Sequence, residues 1–130
     1  MLLLDTHVLL WWLHDDARLG PKVKSIVADP SSTVYVSAAS AWEIAVKYQI
    51  GRLSLASAPE DWFGDELTKN QFHILSIGLE EALAAGALPL HHRDPFDRML
   101  IAQAQLNGYT LVTSDAAMKQ YEIQLLAADV

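Results

Sequence analysis

The sequence predicts an α/β domain on a parallel sheet, from two observations. Short β-type apolar runs alternate with helix-period stretches along the whole chain, which is the order expected of strands joined by crossover helices. In addition, four acids, Asp5, Glu43, Asp97 and Asp115, stand at or just beyond points where an apolar run meets a helix start. In an open parallel sheet the carboxyl ends of the strands border one crevice, so acids far apart in sequence converge there.

Taken in order, Met1 to Asp5 reads as the first strand and Val8 to Leu13 as a helix. A second helix begins near Pro21, where proline suits a first turn. Asp29-Pro30-Ser31-Ser32 is a break. Thr33 to Val36 is the second strand, followed by a helix over Ala38 to Tyr48 with Ala41, Ile44, Ala45 and Tyr48 at helical spacing; Gly51 ends it. Pro59 to Lys69 reads as one amphipathic helix, Phe72 to Ser76 as the third strand and Glu80 to Ala87 as another helix. Pro89 to Arg93 is a loop, and Asp94-Pro95 opens a long helix that stops at Asn107-Gly108. Tyr109 to Thr113 is the fourth strand, Ala116 to Tyr121 a short helix, and Ile123 to Ala127 an edge strand. No repeat or linker interrupts residues 1–130, which read as a single domain.

The composition supports a continuous core, with 52% hydrophobic and 19% charged residues in 130. The absence of cysteine removes disulfides, thiolate metal sites and cysteine nucleophiles, and suits a reducing cytoplasm. The apolar N-terminus has no basic leader, and Asp5, His7 and His14 interrupt it, so neither a signal peptide nor a membrane span is expected. A formal net charge of −7 argues against gripping nucleic acid by bulk electrostatics. Any such role needs a local basic rim, and a basic partner becomes plausible.

Each acid has a bland explanation, because Asp and Glu are favoured at helix N-caps and first turns. Asp94-Pro95-Phe96-Asp97 reads as a cap, a proline at the first helical position and an acid two residues on, and Ser40-Ala41-Trp42-Glu43 matches a capping box. Recurrence at several junctions favours a shared site. Converged carboxylates repel unless a cation lies between them, and a hard divalent ion such as Mg²⁺ or Mn²⁺ prefers oxygen ligands. Phosphate-cradling loops, dinucleotide fingerprints and nucleophile elbows are missing from the sequence. The His91-His92 pair is not taken as a metal site, since adjacent residues at a helix start rarely point the same way. Trp11, Trp12 and Trp42 are expected in the core, and Trp62-Phe63 on a partner or dimer surface.

With these acids in this order and spacing, the chain resembles a PIN-domain ribonuclease of the VapC toxin type over essentially its whole length. The segments that carry the resemblance are Leu2 to His7 (LLLDTH), Val36 to Leu53 (VSAASAWEIAVKYQIGRL), His91 to Ala104 (HHRDPFDRMLIAQA) and Tyr109 to Asp115 (YTLVTSD). The resemblance implies a Rossmann-like three-layer α/β/α sandwich with a central parallel sheet, an Mg²⁺ or Mn²⁺ centre, and cleavage of RNA. It also implies a small antitoxin partner with a basic tail, and a homodimer. Asp5 and Asp97 match the principal metal ligands, with Glu43 and Asp115 completing the acid set and Thr6 and Ser114 as small polar neighbours. Met118 stands where the family often carries a further acid. Arg93, Arg98, Lys47 and Arg52 are candidates for a basic rim that contacts RNA. Two other readings compete: a Mg²⁺-dependent phosphohydrolase using Asp5 as nucleophile, and a non-catalytic acidic pocket that captures an arginine-bearing partner.

Overall fold

A computed structural model describes all of residues 1–130. Five short strands, β1 (Leu2–Leu4), β2 (Val34–Ser37), β3 (His73–Leu75), β4 (Thr110–Thr113) and β5 (Gln124–Ala127), form one sheet in the order β3-β2-β1-β4-β5, with every neighbouring pair parallel. Parallel neighbours need crossover connections. Most are helical: α1 (Thr6–Leu13) and α2 (Pro21–Ala28) between β1 and β2, α3 (Ala38–Gln49) and α4 (Phe63–Lys69) between β2 and β3, and α5 (Leu79–Ala87) and α6 (Pro95–Asn107) between β3 and β4. A single 3₁₀ turn, Ala116–Gln120, precedes β5.

Period-two alternation along β1 divides the interior into two cores. Leu2 and Leu4 face one side with Val34, Val36 and Val112, packed under Val8 and Leu9 of α1, Val23 and Val27 of α2, and Ile44 of α3. Leu3 faces the other side with Leu111, under Leu100, Ile101 and Ala104 of α6, closed by Met118 and Tyr121. The three layers therefore follow from the β1 pattern. Met118, the position that lacks an acid, is a buried core residue.

The chain runs from central β1 outward to β3, then returns to the other side of β1 as β4. That switch opens a crevice at the carboxyl ends of β1 and β4. Leu4 is in register with both Val36 and Val112, so Asp5, Ser37 and Thr113 end level with one another.

Three expectations are corrected. The predicted helix over Pro59 to Lys69 is a 3₁₀ turn at Pro59–Asp61 followed by α4, because Trp62 leaves helical geometry at φ −136°. Its neighbour Phe63 is buried in the first core and Trp62 packs beside it, its indole N–H donating to Ser57 O at 3.1 Å, so this pair does not form the expected partner surface. Trp42 is 61% exposed rather than core: Glu43 and Ile44 take the inward face of α3, which turns Trp42 outward onto the edge of Phe96, 5.0 Å between ring centroids. No helix is long and apolar enough to cross a membrane.

Candidate metal centre

Asp5 directly follows β1 and caps α1, its Oδ1 accepting from the Thr6 N–H at 2.7 Å and its Oδ2 from the Thr113 hydroxyl at 2.7 Å. It is buried, and loss of water pushes its pKa up despite those hydrogen bonds. Thr6, also buried, donates its hydroxyl to Ser40 at 2.9 Å, tying α1 to α3.

Glu43 lies in the interior of α3. The N-cap of that helix is Ser37, whose hydroxyl accepts from the Ala39 N–H at 3.0 Å, so the capping box read at Ser40 and Glu43 does not form. Glu43 is almost completely buried, with Oε2 bound to the Lys47 ammonium one turn on and Oε1 without any partner. Burial alone works against the Lys47 charge. The hydrogen bond and charge of Glu43, helped by Asp94 and Asp97, nevertheless raise its pKa above the ordinary value.

Asp97 projects from the first turn of α6. Asp94 caps that helix, accepting from the N–H groups of Phe96 at 2.9 Å and Asp97 at 3.3 Å, so cap and site divide the two acids between them. Burial first, and then the charges of Asp5, Asp94, Glu43 and Asp115, push the Asp97 carboxyl up to about 8. Asp115, just beyond β4, caps the 3₁₀ turn by accepting from the Ala117 N–H at 2.9 Å. Its other oxygen meets His92 Nε2 at 2.8 Å, and Asp97 Oδ2 lies 3.1 Å from the same nitrogen. The four acids thus share one electrostatic neighbourhood, of which Asp97, Asp115 and His92 form the tightest part, with ligand atoms within 4.8 Å of one another.

Two participants were not read from the sequence. His92 enters the site while His91 turns out onto the Tyr121 ring, 5.2 Å between centroids. Neighbouring histidines do diverge, as expected, but one of the two faces the acids. Thr113, rather than the exposed Ser114, links the acids: its hydroxyl donates to Asp5 and accepts from the Asp115 N–H at 3.0 Å.

The basic residues separate. Arg98 is a correction: it is 8% exposed, and its guanidinium donates to five backbone carbonyls, of Ala85, Gly86 and Leu88 through Nη2 and of Pro89 and His92 through Nη1, at 2.9 to 3.3 Å. It gathers the open carbonyl end of α5 and the loop after it, so both terminal nitrogens are committed to the backbone and the side chain is turned away from a rim role. Lys47 is engaged by Glu43. Arg93 and Arg52 remain exposed, and Arg52 shares a groove of about 480 Å³ with His7, His14 and Arg18 beside Glu43.

Residues 2–124 match the PIN domain family. The chain belongs to that family. It is 30% identical over 122 residues to Ribonuclease VapC22 of Mycobacterium tuberculosis, covering 92% of this chain and 90% of the relative. Its fold is similar to that of VapBC2 from Rickettsia felis bound to a DNA fragment from its promoter, with a TM-score of 0.70, 14% identity and 96% of both chains covered. A toxin-antitoxin complex from Klebsiella pneumoniae is similarly close, with a TM-score of 0.67, 19% identity and 98% of both chains covered. In this PIN domain Asp5 and Asp115 follow the carboxyl ends of β1 and β4, where the topology opens the crevice.

Proposed function

We propose that this PIN domain is a metal-dependent ribonuclease of the VapC kind, the toxin of a toxin-antitoxin pair. The carrying observation is a buried cluster of carboxylates: burial first and then its acidic neighbours drive Asp97 to about 8, and the buried Glu43 keeps an oxygen with no partner. An acid set of this kind fits Mg²⁺ or Mn²⁺, which answers both the repulsion and the unpaired oxygen. Asp5 and Asp97 would hold the ion, with Glu43 and Asp115 completing its surroundings directly or through water. When bound, a divalent ion polarises a phosphoryl oxygen and makes a water acidic enough for in-line attack.

The protein's own residues prepare that chemistry. Thr6 and Thr113 hold Asp5 in one orientation, and burial on the β1 and α3 side keeps competing water from the acids. Arg52 and Arg93 supply positive charge at the rim of a chain whose net charge is −7, so only a short stretch of backbone phosphate is engaged. Asp5 is a poor covalent nucleophile, since both of its oxygens are hydrogen-bonded and it is 3% exposed, which weighs against the phosphohydrolase reading.

Partners follow from the same surfaces. An acidic pocket suits the basic tail of an antitoxin, and a toxin-antitoxin complex is among the structures whose fold this chain shares. A homodimer is supported by an apolar cleft lined by Trp42, Ile77, Phe96 and Met99, with Leu79 and Leu83 exposed on neighbouring α5. The proposed location is the cytoplasm, where RNA and an antitoxin both meet the enzyme.

Purified protein free of antitoxin, incubated with a mixed RNA pool and Mg²⁺, Mn²⁺ or EDTA beside Asp97→Asn, tests this reading. Cleavage is expected only from the wild type with metal, and loss of about a thousandfold or more in the variant. Cleavage by a folded Asp97→Asn, or in EDTA, overturns it.

A further inference from the structure

We propose that His92 is not a metal ligand but the positioning residue that sets Asp97 and Asp115 for the ion, by donating its single Nε2 proton between them; this rests on the metal-dependent reading above. By proximity alone, imidazole and two carboxylates look like a three-ligand set. The hydrogen bond on the far side of the ring decides otherwise.

A neutral imidazole has one N–H and one lone pair, and an imidazolium has two N–H groups. In this structure the Asp94 backbone N–H donates to His92 Nδ1 at 3.2 Å, so the lone pair is at Nδ1 and the proton at Nε2. Nε2 has no lone pair left for a metal. A ligating histidine shows the reverse arrangement, with its outer nitrogen donating to a carbonyl or carboxylate. The partner at Nδ1 is instead a donor, the Asp94 backbone N–H, while Asp94 Oδ1 caps the N–H groups of Phe96 and Asp97.

The backbone that carries the ring is also fixed. The His92 N–H donates to the Tyr121 hydroxyl at 2.8 Å, and its carbonyl accepts from Arg98 at 3.0 Å. Tyr121 in turn donates to Pro89 O at 2.6 Å, and Arg98 grips that same carbonyl at 3.1 Å. Two core residues thus clamp the loop at both ends of a short span. From this fixed position Nε2–H faces Asp115 Oδ2 at 2.8 Å and Asp97 Oδ2 at 3.1 Å. Asp115 Oδ1 is already held by the Ala117 N–H, so its carboxylate is fixed at both oxygens. What remains for a metal is oxygen only, and an all-oxygen set selects a hard ion over zinc, nickel or copper.

Pulsed electron paramagnetic resonance on the full chain loaded with Mn²⁺ reads nitrogen ligation directly, and calorimetry with Mn²⁺ reads affinity. The wild type is expected to show no coupling from a directly bound ¹⁴N. His92→Leu is expected to bind Mn²⁺ about 10- to 100-fold more weakly. His92→Gln, whose amide N–H reaches the place of Nε2, is expected to retain most of the affinity. A directly bound ¹⁴N in the wild type that disappears in His92→Gln overturns the proposal while leaving the metal reading intact. Unchanged or tighter binding by His92→Leu overturns it too. Failure of the wild type to bind Mn²⁺ overturns the metal reading and this inference together. The spectroscopic arm uses wild-type protein, so it stands even where His92→Leu fails to fold.

Discussion

Asp97 and Arg98 are consecutive residues of α6, both ionisable and both largely withdrawn from water, yet their surroundings are opposite. Arg98 meets five carbonyl oxygens and no competing cation. Asp97 meets one nitrogen donor from His92 and the repulsion of four other acids. A buried charge whose terminal donors are taken up by the backbone is a structural device. One left short of partners is waiting for something outside the chain.

The largest effect that tests this contrast falls on the filled side. Removing the guanidinium in Arg98→Ala strands the carbonyls at the end of α5 and releases the loop that carries His92. It is expected to cost about 4 kcal/mol of stability, read from urea unfolding. Arg98→Lys keeps the charge but loses the planar fork, and is expected to lie between the two. Wild-type stability with weakened RNA binding in Arg98→Ala would reverse the assignment and restore the rim role.

On the unfilled side the expected sign is opposite and the effect smaller. An aspartate near 4 in the unfolded chain and about 8 in the folded one binds more protons when folded, so its contribution is intact at low pH and is lost as pH rises through that interval. Asp5, also raised, acts in the same direction. Metal-free protein is therefore expected to lose on the order of 3 kcal/mol between pH 5 and pH 8. Asp97→Asn should flatten that slope and be the more stable protein at pH 8. Added Mg²⁺ should recover the loss in the wild type alone. A wild type whose stability rises over this interval, or a variant with the same slope, would break the contrast.

The contrast also marks where sequence reading succeeds. The alternation of strands and helices and the parallel sheet were legible because apolar period and helix starts are local signals, and the same signals singled out the four acids at the element junctions. The role of Arg98 was not: it depends on the carbonyls of α5, ten or more residues away, and no local pattern distinguishes a guanidinium turned inward from one turned out. Trp42 failed for a related reason, since the helical period says that one face is buried but not that Glu43 occupies it. His92 and Thr113 escaped because their value lies in what they donate to acids brought close only by the fold. The opposition drawn in the sequence between capping and site placement also dissolves, because Asp5 and Asp115 cap their helices while standing among the clustered acids, and Glu43, read as a capping-box member, caps nothing.

Asp5 lies between the two extremes, and Thr113 decides on which side. One hydroxyl spans the acids of β1 and β4, donating to Asp5 Oδ2 and accepting from the Asp115 backbone N–H. Thr113→Val has nearly the same shape, so packing under β4 is kept while both hydrogen bonds are lost. The expected cost is about 1.5 kcal/mol, the range for a hydrogen bond to a charged group. The donor favours the ionised form of Asp5, so the loss should be larger at pH 8 than at pH 5. Thr113→Ser, which keeps the hydroxyl, should recover most of it. A Thr113→Val protein as stable as the wild type at both pH values would place Asp5 with Asp97, among the carboxylates the chain leaves unfilled.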